Sequence, residues 1–148
     1  MKNLLVSLFL IGFISSCATN SISDKDRVVI INKYLKENNI TQVKKITSFN
    51  YHGWQSIDNN QLIISTSPNK KFLITLVSVC HGLNFADQIL IKQSFSSSLQ
   101  TRFDSILVPG MHPFKCFIKT INPLNQKQAN ELIKLVRNPV KESKDDEV

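Results

Sequence analysis

Gln61-Leu62-Ile63-Ile64-Ser65-Thr66-Ser67-Pro68-Asn69-Lys70-Lys71-Phe72-Leu73-Ile74-Thr75-Leu76-Val77-Ser78-Val79 is the stretch that decides the fold. Two apolar, β-branched runs flank a polar corner. Ser67-Pro68-Asn69-Lys70 reads as a turn, because Pro fixes φ and Asn tolerates the next corner. The first run predicts a strand over Gln61–Ser67 with Leu62, Ile64 and Thr66 on one face. The second predicts a strand over Lys71–Val79, with Phe72, Ile74 and Leu76 against Leu73, Thr75 and Val77. Its two faces are both largely apolar, so it belongs in the middle of a sheet.

Working outward, Ile46, Phe49, Tyr51 and Trp54 suggest a preceding strand that breaks near Gly53. Downstream, Cys80–Asp87 is irregular and pivots on Gly82. Further strands are expected over Gln88–Phe95, Arg102–Val108 and Lys115–Ile121, with a polar loop at Ser94–Ser98 and a stop at Pro123. Helices bracket these strands. Ser23 caps the first, Asp24 and Asp26 favour its dipole, Val28, Ile31 and Leu35 mark its apolar stripe, and Asn38-Asn39 ends it. Asn125 caps the last, with Gln128 in a capping-box position and Ala129, Leu132, Ile133 and Val136 at helical spacing. The expected fold is α+β: an antiparallel meander of about six short strands, curling toward a partly open barrel, with an N-terminal and a C-terminal amphipathic helix on one face.

The chain has 148 residues with 18 Lys+Arg, 11 Asp+Glu and a net charge of +7. That length suits one domain at roughly 150 residues each, too small for a two-lobed kinase or dehydrogenase. No Walker loop, H-E-x-x-H or G-x-S-x-G is present.

The first residues read as an address. Lys2 supplies a positive start and Leu4–Ile14 an apolar run of eleven residues, short of the roughly 20 needed to span a bilayer. Ile14-Ser15-Ser16-Cys17 resembles a bacterial lipobox. The expected organisation is a lipoprotein signal peptide at 1–16, a lipidated tether at 17–23, a single domain at 24–138 and a disordered acidic tail at 139–148. Cys17 is the lipid attachment site, and Ala18, where aspartate would favour inner-membrane retention, points to an outer-membrane lipoprotein facing the periplasm. Removing 1–16 leaves 132 residues with charge +6, and the body at 18–138 carries +8.

Two cysteines remain, Cys80 and Cys116, and in an oxidising compartment such a pair forms a disulfide. A rival reading takes Cys80-His81 and His112-x-x-x-Cys116 as zinc ligands. Neighbouring Cys and His in a strand point to opposite faces, which makes joint ligation awkward.

Several short motifs then line up. Trp54 and Asp58 precede an apolar strand. Cys80-x-Gly82-Leu83-x-Phe85-Ala86, Arg102-Phe103-Asp104 and Cys116-x-Ile118-x-x-Ile121-x-Pro123-Leu124 follow. With the lipobox, this pattern resembles a family of short proteobacterial envelope lipoproteins known only as a domain of unknown function. It covers Ser48–Leu124, with His81 where that family would have proline. The resemblance implies an envelope protein with a buried cystine and carries no activity.

Four residues are candidates to face a ligand: Trp54, Asp58, His81 and Asp104. Each has a plainer reading. Trp54 suits a core, Asp58-Asn59-Asn60 a turn, and Asp104 a pair with Arg102 or a backbone cap. The basic pairs Lys44-Lys45 and Lys70-Lys71 read as solvated edge protection, or more sharply as contacts for an anionic leaflet or polymer. The functional expectation is a non-catalytic binding or structural module held on the envelope membrane, without cofactor, metal or nucleic acid, and partnered by an envelope protein or an anionic envelope component. A small envelope enzyme using Asp58, His81, Asp104 and His112, and a thiol-redox protein using Cys80 and Cys116, are the alternatives.

Overall fold

The computed structural model describes residues 22–110 and 115–137. The expected signal peptide, Cys17, His112 and the acidic tail at 139–148 lie outside the described residues.

Local signals set the two helices. In α1, Asp24–Glu37, the Ser23 hydroxyl accepts the Asp26 N–H at 3.2 Å, and the helix ends at Asn38. Asn39 follows at φ 51°, in the left-handed region that asparagine tolerates. In α2, Gln126–Arg137, the capping box is reciprocal: Gln128 N–H donates to Asn125 Oδ1 at 2.8 Å and Asn125 N–H to Gln128 Oε1 at 2.9 Å. The buried stripe of α1 is narrower than its periodicity implied: Ile31 and Tyr34 are buried, whereas Val28 is exposed.

Among the described residues, eight strands run between the helices: β1 (Lys45–Thr47), β2 (Gly53–Ser56), β3 (Gln61–Ser65), β4 (Lys70–Leu76), β5 (Leu90–Lys92), β6 (Ser98–Gln100), β7 (Ser105–Leu107) and β8 (Lys115–Asn125). Six of them form a curled antiparallel half-barrel in the order β2-β3-β4-β8-β7-β5, and β1 pairs with β6. The fold is therefore α+β, as the alternation and caps indicated. The β3–β4 hairpin is in register from Ser65↔Lys71 to Gln61↔Thr75, and β4 is interior to the sheet.

Four local expectations change. The first expected strand is two, β1 and β2, separated by Ser48 at φ 53°. The polar loop opened by Ser94–Ser98 gives way at Ser98 to β6, whose Ser98 pairs with Thr47. Arg102, expected in a strand, sits at φ 70° in the β6–β7 turn. Pro123 does not stop β8, which continues to Asn125. Ile121 accepts the Val43 N–H at 2.8 Å, so its backbone faces away from β4. Pro123, two residues on, has the same orientation, so its missing N–H would have faced the open flank and the β4 ladder loses nothing.

Alternation along the strands builds two apolar layers. Leu62, Ile64, Ile74, Leu76, Ile118 and Ile121 fill the concave side with Leu99 and Ile106. Ile63, Leu73 and Leu124 face outward and pack under Ile31 and Tyr34 of α1 and Ala129, Leu132 and Val136 of α2. With both faces covered, every residue of β3 is buried. The helices are latched by Tyr34, whose hydroxyl donates to Glu131 Oε2 at 2.8 Å and lies 3.2 Å from the Gln128 carbonyl.

Burial, then the hydrogen bond to Glu131 and its charge, push Tyr34 from 10.0 up to about 12. The folded chain thus holds this proton more tightly than the unfolded chain. The latch contributes fully below pH 10, and its contribution is lost as pH rises from 10 to 12. Urea midpoints across that window should fall more steeply for the wild type than for Tyr34→Phe; equal slopes would show that the latch does not couple to folding.

Candidate functional site

Lys70 and Lys71 open β4, and successive side chains of a strand point to opposite faces. Lys71 shares a face with Leu73 and extends toward α2, where its Nζ lies 2.8 Å from Ser65 Oγ. Lys70 shares the opposite face with Phe72. A hollow lies on each side. The first, of about 270 Å³, lies between α2 and β2–β4 and is bordered by His52, Trp54, Gln55, Ser65, Lys71 and Asn130 over Ile63, Ala129 and Ile133.

The second is a groove of about 440 Å³ where β1 diverges from β8. Val43 still bridges to Ile121, but β1 continues along β6 instead, and Ser48 takes its left-handed turn at the groove's rim. The β8 residues Pro123 and Leu124 are left as one wall. Val43, Ile46 and Phe72 supply further apolar surface; Lys45, Lys70 and Lys71 line it with Thr47, Ser48 and Thr66. No carboxylate lines the groove, and no described carboxylate oxygen lies within 4.0 Å of any of these three ammonium groups. A concave surface lined by one sign of charge over low-dielectric walls concentrates counter-ions.

The residues singled out from sequence go to separate places. Trp54 packs half-buried on the concave cluster and borders the first hollow. Asp58 accepts the Asn60 N–H at 2.7 Å, shaping its turn, and lies 3.6 Å from the Arg27 guanidinium of α1. His81 is exposed. Asp104 is fully buried and accepts the N–H groups of Ser94 at 2.7 Å and Gln100 at 2.6 Å, so it is a backbone cap, not a partner of Arg102. No hydrogen bond or ion pair joins Asp58, His81 and Asp104 to one another, and no cluster of metal-ligating side chains occurs among the described residues.

Cys80 and Cys116 are joined, with Cα atoms 5.6 Å apart, tying the end of β4 to the start of β8. Both are buried, at 1% and 3% exposure, which denies an attacking thiolate access to either sulfur. Sulfurs bonded to each other are not zinc ligands. The Cys80 N–H donates to the Asn59 carbonyl at 2.6 Å, and Gly82 takes φ 83° to turn the chain into the short 3-10 helix Leu83–Phe85.

Sequence reading noticed the lysine pairs but not their convergence. Lys45 and Lys70 are distant in sequence and line one groove only because the Val43–Ile121 bridge brings the chain entering β1 beside β8, the partner of β4. Ser48, Ser65, Thr66 and Asn130 carried no signal of their own.

The chain belongs to a family of unknown function (DUF6491), whose model matches residues 1–139. No curated protein and no solved structure matches it.

Two stability outcomes follow. Asp104→Ala leaves two buried N–H groups without an acceptor and should cost about 3 kcal/mol in urea unfolding, with Asp104→Asn losing less. A loss within error for Asp104→Ala would show that the cap is dispensable. Replacing both Cys80 and Cys116 by Ser opens a loop with a sequence separation of 36 and should cost about 4 kcal/mol, which unfolding with and without reductant will measure.

Proposed function

We propose that this family member is a lipid-anchored envelope protein facing the periplasm, which acts by binding rather than by catalysis. The observation that carries the binding reading is the pair of hollows flanking Lys70 and Lys71, lined by lysines that no described carboxylate neutralises. The anchor rests on Lys2, the apolar run Leu4–Ile14 and Ile14-Ser15-Ser16-Cys17. A single chain contributing about 0.8 kcal/mol per buried methylene holds a protein only marginally, so firm anchoring takes a diacylglycerol on the Cys17 sulfur plus an acylated amine. A buried cystine is in keeping with export to an oxidising compartment. Ala18 after the cysteine favours the outer membrane.

The enzyme alternative has less to stand on. Asp58 is engaged by a turn and Arg27, Asp104 by two backbone donors, and His81 shares no hydrogen bond with either. A general acid or base needs hydrogen-bond reach of a second catalytic group or a bound substrate, and these residues have been given other work.

Two experiments test the reading. Labelled palmitate should enter the wild-type chain in cells and not Cys17→Ser; equal labelling would remove the anchor. A photocrosslinking amino acid at Thr66, on the groove's rim, should give an adduct in intact envelopes, whereas the same group at exposed Asp87 should not. No adduct at Thr66 would remove the binding reading.

A further inference from the structure

We infer that the groove between β1 and β8 is a binding site for an anionic amphiphile, a phosphate or carboxylate head on a single alkyl chain. The inference rests on the binding reading above and not on the lipid anchor.

The lining chooses the ligand class. Polar lining comes from Lys45 and Lys70 and from Thr47, Ser48 and Thr66, all of which carry donors suited to an oxyanion, and no carboxylate is among the lining residues; Lys71 also borders the groove, but its Nζ is turned to Ser65 on the other face. The apolar walls come from Val43 and Phe72, half-buried on the concave cluster, and from exposed Pro123. An inorganic anion would satisfy the donors and leave those walls wet. A neutral hydrocarbon would cover the walls and leave the ammonium groups without a counter-charge. Only a molecule with both parts uses the whole surface. The volume of about 440 Å³ falls within the roughly 300–1,000 Å³ of small-molecule sites.

The backbone argues against an added peptide strand as the occupant. The open flank of β8 carries Pro123, which offers no N–H to a new ladder, and β1 veers away at Ser48.

The test uses the full chain in phosphatidylcholine nanodiscs, with empty discs subtracted, and three probes below their micelle concentrations: dodecyl phosphate, inorganic phosphate and dodecyltrimethylammonium. Dodecyl phosphate should bind saturably and weaken as salt is raised. Lys45→Gln and Lys70→Gln should each weaken it about tenfold, as loss of one charge-assisted hydrogen bond implies. Lys115→Gln/Lys119→Gln, outside the groove, should leave it unchanged. Urea midpoints equal to wild type show that the variants fold. Inorganic phosphate binding as tightly as dodecyl phosphate would overturn the amphiphile and leave a plain anion site. Equal uptake of the cationic probe, or no effect of the two lysine variants, would overturn the site as partition into lipid. No saturable binding of dodecyl phosphate would also overturn it, and a surviving adduct at Thr66 would then show that the groove binds something else.

Discussion

The antiparallel ladder between β4 and β8 is the interaction on which the rest of this structure depends. It runs from Lys70↔Asn125 to Leu76↔Ile118 and joins two strands separated by everything from Val77 to Phe114. Closing so long a loop costs chain entropy before any contact rewards it. Two features offset that cost. Cys80 and Cys116 tether the loop covalently near its ends, reducing the freedom the unfolded chain would otherwise have. Residues on both faces of the ladder are also buried, with Ile74 and Ile121 on the concave side and Leu73 and Leu124 under the helices. Once β8 is in place, β7 pairs with its first residues, the β6–β7 turn hangs on Ile118 through Arg102 and Asp104, and Val43 bridges to Ile121.

What the sequence revealed of this fold is what is local. Both helix caps, the Ser67–Lys70 corner and the two-faced apolar character of β4 are set within a few residues, where spacing and side-chain chemistry speak directly. The parts that did not show are decided by partners far away. Ser98-Leu99-Gln100 is a strand because Lys45-Ile46-Thr47 lies beside it, and three residues among serines carry too little pattern to announce that. Pro123 is a reliable stop signal only where its N–H would be needed, and the direction it faces depends on the register with β4. The Cys80–Cys116 pairing was legible because setting Cys17 aside as the expected lipid site leaves two cysteines, each with one partner; its burial was implied by the family resemblance alone.

The site divides in the same way. Asp58 was readable as a turn residue because its acceptor sits two positions from the N–H it binds. Asp104 was readable only as an acid in need of a partner, since its donors, Ser94 in the β5–β6 loop and Gln100 at the end of β6, are brought together only by the β6–β7 turn. The lysines are the clearest case. As pairs along the chain they look like ordinary solvated charge. Their meaning changes when β1 and β4 bring Lys45 and Lys70 to one groove from separate parts of the sequence.

That groove follows from a mismatch of strand lengths. β8 has eleven residues, whereas β1, β6 and β7 have three each. Short neighbours cannot flank a long strand along its whole length, so the barrel stays open beside Asn122–Asn125. An open barrel exposes residues that closure would have buried, and here these include Phe72 and Pro123. Acidic side chains could have rimmed the gap as easily as basic ones, since either sign keeps an edge from pairing. Lysines alone do more: they keep the edge soluble and give the gap a chemical preference. A half-barrel with a positively charged seam differs from a closed one in having a place where an apolar chain can lie with its charged end satisfied. The same incompleteness that leaves the sheet short of a barrel is what forms the groove proposed as the binding site.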